Sequence, residues 1–438
     1  MNRQNLRRHF VSLQHRNYRL LWFGQLVSFT GSMMQNAAIL WHVSLLVPED
    51  KKGLALGAVG LVRVVPIIIC SLIGGVVADA LDRRRLMLAT QAALAVIAGV
   101  LTLVTFHGLA AVWPLYALTA LSATASAFDM PARQALFPNL VPPEHLPNAI
   151  SLNSIMFQLA SVLGPALGGL LIARGDISWV YAANAVSFLA VIWALLLMRD
   201  LPANSAANKQ DVSLKAMGEG LRFVFSAPLI RSTMLLDFFA TFFASAIALL
   251  PIFAQDILKV GSEGYGLLYA APSVGAALAA IFMVPGSERI QRRGLGLLWA
   301  IVAYSVATIV FGVSRDFWLT YLCLAVVGGA DMVSTVFRNI IRQLGTPDHL
   351  RGRMTGVNMV FLMGGPQLGE LEAGVVADRL GAPLSVVTGG IGALIATMWV
   401  ARTTPHLRHY RRDDDLIQAK PAEVVPPEPI PSQPAPAD

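Results

Sequence analysis

The chain has 438 residues, of which 55% are hydrophobic and only 13% charged, about half the charged share of an ordinary soluble protein. Its apolar residues come in blocks of about twenty, each long enough to cross a hydrocarbon layer about 30 Å thick, which excludes a chain folded wholly in water. The net charge of +7 is spread over short loops between the blocks rather than gathered into a stripe with aromatic partners, which argues against a nucleic-acid surface.

The block pattern predicts twelve spans, at about 18–47, 54–80, 86–106, 109–129, 149–173, 179–198, 229–254, 264–285, 295–313, 317–338, 354–377 and 382–401. The first, from Leu20 to Val47, is too long for the core of a cleaved signal peptide and is retained. Cys70 and Cys323 both lie inside apolar blocks, so neither a disulfide framework nor a thiolate metal site is indicated. No cofactor or metal is expected. Assigning Lys and Arg to alternate sides puts most of them with the termini, which places both termini in the cytoplasm. That set includes Arg83 to Arg85, Arg292, Arg293, Arg338 and Arg342.

Residues 1–199 form the first expected six-helix bundle, and 229–402 the second. Residues 200–228, with Pro202 and mixed charges, are the expected cytoplasmic linker. From 403 to 438 the chain ends in a proline-rich tail, too poor in apolar residues to fold and expected to be disordered.

The halves resemble each other. Pro143-Glu144-His145-Leu146 recurs as Pro347-Asp348-His349-Leu350, Gly164-Pro165-Ala166-Leu167-Gly168 as Gly365-Pro366-Gln367-Leu368-Gly369, and Arg133-Gln134 as Arg342-Gln343. Three strings in the same order point to a duplicated six-span unit, as in several transporter folds.

After the second span the chain reads Gly74-Gly75-Val76-Val77-Ala78-Asp79-Ala80-Leu81-Asp82-Arg83-Arg84-Arg85. This resembles the cytoplasmic signature of the major facilitator superfamily. The resemblance implies two pseudo-symmetric six-helix bundles, all α and integral to the membrane. It also implies a conformational latch of Gly75, Asp79, Asp82, Arg83 and Arg84, with Asp79 against the start of the eleventh span. Gly164, Pro165, Gly168 and Gly169 resemble the superfamily's exporter motif, in which proline bends a helix and glycine lets it pack closely. The superfamily's arginine motif in the fourth span is missing, since 117–128 holds no arginine. His15-Arg16-Asn17-Tyr18-Arg19-Leu20-Leu21-Trp22, Pro131-Ala132-Arg133-Gln134, Gly329-Ala330-Asp331-Met332 and Leu368-Gly369-Glu370-Leu371-Glu372 look like the enterobactin-exporter-like branch. Members of that branch export siderophores, macrolides and other amphipathic compounds.

In this superfamily the first, fourth, seventh and tenth helices line the cavity, and each carries a polar stripe here. The stripes supply Gln35 and Asn36, Asp129, Asp237 and Thr241, and Tyr321 and Asp331 as cavity or coupling residues. Arg63 falls about 12 Å deep in the second span, at a depth like that of Glu370 and Glu372 in the eleventh. A membrane charge costs a few kcal/mol unless paired, so Arg63 is expected to pair with Glu370 or Glu372 at an outer gate. Asp237 or Asp331 is expected to carry a coupling proton or to meet a cationic substrate group, the other reading being a fixed Asp331–Arg338 pair.

The expected function is proton-driven export of a small amphipathic molecule by alternating access, from a monomer in a bacterial cytoplasmic membrane. Proton-coupled uptake and a non-transporting receptor or scaffold are the alternatives. An enzyme is disfavoured, because the short loops hold no clustered His and acid set and no phosphate-cradling loop.

Overall fold

The computed structural model describes residues 10–80, 82–199, 214–286, 290–347 and 350–410, without the side chains of 71–80, 214–217, 219–220 and 284–286. Among the described residues the chain is helical and forms no strand. A helix is the open-chain form that satisfies every internal backbone N–H and C=O where water is absent.

Each expected span falls on a helix. These are α1 (Arg16–Leu46), α2 (Lys52–Ala80), α3 (Arg83–Phe106), α4 (Trp113–Leu136), α5 (Leu146–Arg174) and α6 (Ser178–Leu197). After α7 (Leu214–Ser226) come α8 (Pro228–Phe243), α9 (Gly261–Gly286), α10 (Arg293–Val313), α11 (Phe317–Leu344), α12 (Arg351–Leu380), α13 (Ala382–Thr403) and α14 (Pro405–His409). Among the described residues, nine helical segments are long and apolar enough to cross a membrane on their own. The segments α1, α4 and α12 fall outside that set. Their polar residues explain it: Gln25, Gln35 and Asn36 in α1, the hydroxyls and Asp129 in α4, and Arg351, Arg353, Glu370 and Glu372 in α12.

Packing repeats along the chain. Helix α1 packs on α5 and α6, α3 on α4 and α6, and α2 on α4; later α8 packs on α12 and α13, α10 on α11 and α13, and α9 on α11. The second set of pairings is the first set over again, in the order that the repeated strings require. Between the sets, α2 meets α12 and α5 meets α9.

Four boundaries differ from the sequence reading. Helix α4 runs through Pro131 to Leu136, because proline removes one backbone bond without ending a helix packed on both sides. The seventh span is broken. Helix α8 stops at Phe243, and the chain continues through a 3-10 turn, Ala246–Leu249, to a wide π-type turn, Phe253–Ile257. Within the expected linker, 200–213 lies outside the described residues, but α7 is a helix whose Val224 is buried with Ile230, Met234, Met354 and Val357. The expected tail also begins too early. Leu407 and Tyr410 are buried with Leu297 and Phe337, and Gly294 donates its N–H to the Tyr410 carbonyl at 3.3 Å; 411–438 lies outside the described residues.

The two sets of helices share a core at one end only, among the described residues. Away from the termini, Ala37, Leu40 and Trp41 of α1 join Leu249, Phe253, Tyr265, Ala373 and Ala377. At the end that carries the termini the cores stay apart, one around Tyr18, Met87 and Leu195, another around Leu236, Leu297 and Phe337. Among the described residues the two sets are therefore joined by a common core at the far end and keep separate cores at the termini end.

Candidate functional site

The break in α8 frees backbone groups inside the helix layer, and each needs a partner. Tyr304 donates its hydroxyl to the freed Ala244 carbonyl at 3.4 Å, and the Ser245 side chain ties the break to α12 by donating Oγ–H to the Pro366 carbonyl at 3.0 Å. Beside the break lies a recess of about 190 Å³, lined by Thr241, Ser245, Pro272, Tyr304, Asp331 and Pro366 among others. Its wall is mostly apolar, with a few hydroxyls and one carboxylate. That chemistry suits a small amphipathic molecule.

Asp331 is 46% exposed on this wall, and Arg338 Nη2 lies behind it at 3.3 Å from Oδ1. Arg338 is itself 2% exposed, with Nη1 2.9 Å from Asp237 Oδ1, although the approach angle is outside that of a hydrogen bond. Thr335 Oγ1 accepts from Arg338 at 2.8 Å. Arg342 reaches Asp237 Oδ2 at 3.8 Å and donates to Asn358 on α12 and, at 3.2 Å, to Asn339. Two arginines from α11 thus hold one buried aspartate from α8. The sequence reading had Asp237, Asp331 and Arg338 but not their union, and it had Arg342 only as a cation on the termini side. The repeat of Arg133-Gln134 at Arg342-Gln343 was the available signal.

Of the other expected cavity residues, Asp129, Gln35 and Tyr321 are turned elsewhere. Asp129 faces α3, where its Oδ1 accepts from Thr90 Oγ1 at 2.8 Å and from Gln91 Nε2 at 2.9 Å, and its Oδ2 meets Arg133. Gln35 Oε1 accepts from Asn184 Nδ2 of α6 at 2.8 Å. Both polar groups are satisfied within one set of helices. Thr241 lines the recess and donates Oγ1–H to the Asp237 carbonyl at 2.8 Å. Tyr321 packs with Phe317 and Trp318 at the far end.

At the far end the sets touch backbone to backbone. A Cβ on Gly266 of α9 would lie 2.5 Å from the Pro165 carbonyl oxygen, and one on Gly169 would lie 2.4 Å from the Ser262 carbonyl oxygen and 2.9 Å from Gly266 Cα. Gly164 faces Met33 of α1, and Gly168 faces Met34. At the α2–α12 crossing, a Cβ on Gly374 would lie 2.5 Å from the Gly53 carbonyl oxygen, and one on Gly60 would lie 2.9 Å from Glu370 Oε2. Lys52 closes this end with a contact to Asp256 Oδ2 at 3.1 Å.

Arg63 donates Nη2–H to the Asn36 carbonyl at 3.5 Å. Its charge reaches Glu370, but no Arg63–carboxylate pair within 4.0 Å occurs among the described residues, so the expected direct pair to Glu370 or Glu372 is not formed. Glu370 is 8% exposed, and its Oε2 has no hydrogen-bond partner. For the expected latch, Gly75 lies in the stretch of α2 described by its backbone alone, and the Asp79 side chain lies outside the described residues. Asp82 caps α3 by accepting from the Arg85 N–H at 2.9 Å. Arg83 donates to the Ala135 carbonyl at 3.1 Å and Arg84 to the Leu196 carbonyl at 3.2 Å, two helix ends that favour a cation.

A family model described as transmembrane secretion effector matches residues 8–425. The chain is 27% identical to the enterobactin exporter EntS of Escherichia coli (strain K12) over 348 residues, covering 80% of this chain and 83% of that protein. It is 25% identical to the enterobactin exporter EntS of Citrobacter koseri over 423 residues, covering 96% of this chain and all of that protein. Among solved structures it superposes on a bacterial homologue of the human lysosomal transporter Spinster, captured inward-facing and unoccupied, with a TM-score of 0.69 at 15% identity over 91% of this chain and 98% of that one. It superposes on a point mutant of the peptide transporter POT with a TM-score of 0.72 at 12% identity over 90% of this chain and 95% of that one.

Proposed function

The chain belongs to the transmembrane secretion effector family of the major facilitator superfamily and is a multi-pass transporter of the bacterial membrane, and from that premise we propose that it exports small amphipathic, siderophore-like molecules by alternating access driven by proton exchange. The observation that carries this reading is the one-sided join among the described residues: a core shared by both sets at the far end, separate cores at the termini end, and a recess in the second set with Asp331 on its wall. In this reading twelve helices span the membrane as two six-helix bundles, the termini are cytoplasmic, and the protein works as a monomer. The structure then corresponds to the state open to the cytoplasm.

The glycine crossings support rocking of one bundle on the other, since bare backbones in contact slide without disengaging side chains. Substrate enters from the cytoplasm, the far-end contacts part, and the termini end closes. The latch residues Gly75, Asp79, Asp82, Arg83 and Arg84 are proposed to hold that second closure. Export is tested in a bacterium that makes a catecholate siderophore and lacks its own exporter. Expression of the chain should move the siderophore from cells to medium, by at least about tenfold in the ratio. A raised cellular level on expression would instead indicate uptake and contradict the proposal.

A further inference from the structure

We propose that Glu370 is a proton site that licenses closure of the far end: the α2–α12 contact closes on the neutral carboxyl and is released when that carboxyl ionises. This deepens the export reading by naming where the coupling proton acts, and it rests on that reading only for the direction of transport.

Three acids are buried among the described residues: Asp129, Asp237 and Glu370. Asp129 has Thr90, Gln91 and Arg133, and Asp237 has Arg338 and Arg342. Glu370 has no cation within 4.0 Å, and its Oε2 has neither solvent nor a donor. One turn away, Gln367 Oε1 is also buried without a donor. Two acceptor oxygens are thus sealed into one contact with nothing to donate to them. An ionised carboxylate in that position is costly. A proton on Oε2 removes the charge and supplies a donor.

The seal is made by the opposing helix. The Glu370 side chain lies against Gly60 of α2, and the Gln367 carbonyl oxygen is 2.5 Å from where a Gly60 Cβ would be. Separation of α2 from α12 therefore uncovers the carboxyl, and their closure covers it. The groups facing it are few. Arg63 of α2 and Tyr265 and Tyr269 of α9 lie within electrostatic reach, and the Tyr265 hydroxyl is committed to the Ala37 carbonyl at 2.8 Å. Glu372 is the nearby acid on α12 itself. Helix α8, the break after it and α13 bring Phe242, Ser245 and Ser385 to this stretch of α12, none of them a charge, and α7 buries Val224 with Met354 and Val357 of α12.

The proton comes from water when the far end is open and leaves to water after closure. Pro366, one turn before Glu370 on the same helix face, lines the recess and gives the exit path. The ionised form then favours reopening, which couples one proton to one cycle.

The test needs no substrate. Spin labels at the exposed Leu45 of α1 and Leu267 of α9, in a protein carrying Cys70→Ser and Cys323→Ser and held in lipid nanodiscs, report the far-end separation. Between about pH 5 and about pH 8, the closed-to-open ratio should rise on acidification by up to about tenfold per pH unit. Glu370→Gln should stay closed throughout with its pH response lost, and Glu370→Asp should keep a response. A wild-type pH response in Glu370→Gln, or a far end that opens in that variant, overturns the proposal. So does a sodium titration at fixed pH that reproduces the shift. A normal pH response here beside failed siderophore export would leave Glu370 standing and reject the direction or the substrate.

Discussion

Asp237 and Asp331 share Arg338, yet they belong to different balances of energy. Asp237 is buried with two arginines, so Asp237→Asn leaves cations uncompensated and should cost about 3–5 kcal/mol of stability. The double change with Arg338→Gln should recover much of that loss, as read by melting of the purified protein. Asp331 is 46% exposed, where an ion pair contributes about 0–1 kcal/mol. Asp331→Asn should therefore melt like the parent while lowering substrate affinity; equal losses of stability in the two single variants would contradict this division. The Asp331–Arg338 spacing is legible in the sequence because seven residues bring two side chains to one helix face. The contact from Asp237 is not, since nothing in a linear pattern states which face of α8 meets α11. Gln35 and Asp129 mislead for the same reason: a polar residue in a span reads alike whether it meets a cavity or an amide on the next helix.

Glycines show at the level of the helix what they cannot show singly. The string from Gly164 to Gly169 marks a close-packed helix, but only the structure shows Gly169 on Gly266 and Gly57 on Gly374. Gly266→Val should oppose the closed far end by about 1–3 kcal/mol, lowering its population by roughly tenfold or more. The spin-label pair at Leu45 and Leu267 measures this, and an unchanged distance distribution would contradict the crossing's role. The N-terminal strap, the 3-10 turn Val11–Gln14 and His15 before α1, offers a second element-scale prediction. His15 Nε2 lies 2.8 Å from His145 Nδ1, and burial, then the neighbouring imidazole, holds His15 below its ordinary 6.5. The unfolded strap therefore binds the proton more readily, so docking is full above about pH 6.5 and weakens as pH falls. A spin label at Gln14 should gain mobility on acidification, and His15→Phe should abolish that response; an equal response in both would count against the pair. The break in α8 was not legible, because Ala244 and Ser245 carry no helix-stopping signal and are stabilised by Tyr304 and Pro366 from elsewhere.

For the whole molecule, hydropathy blocks mark each long helix among the described residues, since burial in lipid forces both apolar length and internal hydrogen bonding. The duplication was legible in three strings, and the structure repeats it as matched helix pairings. What no sequence pattern carries is the state: which end is joined depends on a balance of contacts between the two sets of helices. The central claim is that the far-end join must open and close for transport. Lys52 and Asp256 meet across it, so Lys52→Cys with Asp256→Cys, in a protein carrying Cys70→Ser and Cys323→Ser, allows the join to be tied by a short, cleavable thiol cross-linker. Siderophore release should stop when the link forms and return when it is cleaved. Release that continues unchanged through a fully formed link would contradict the account.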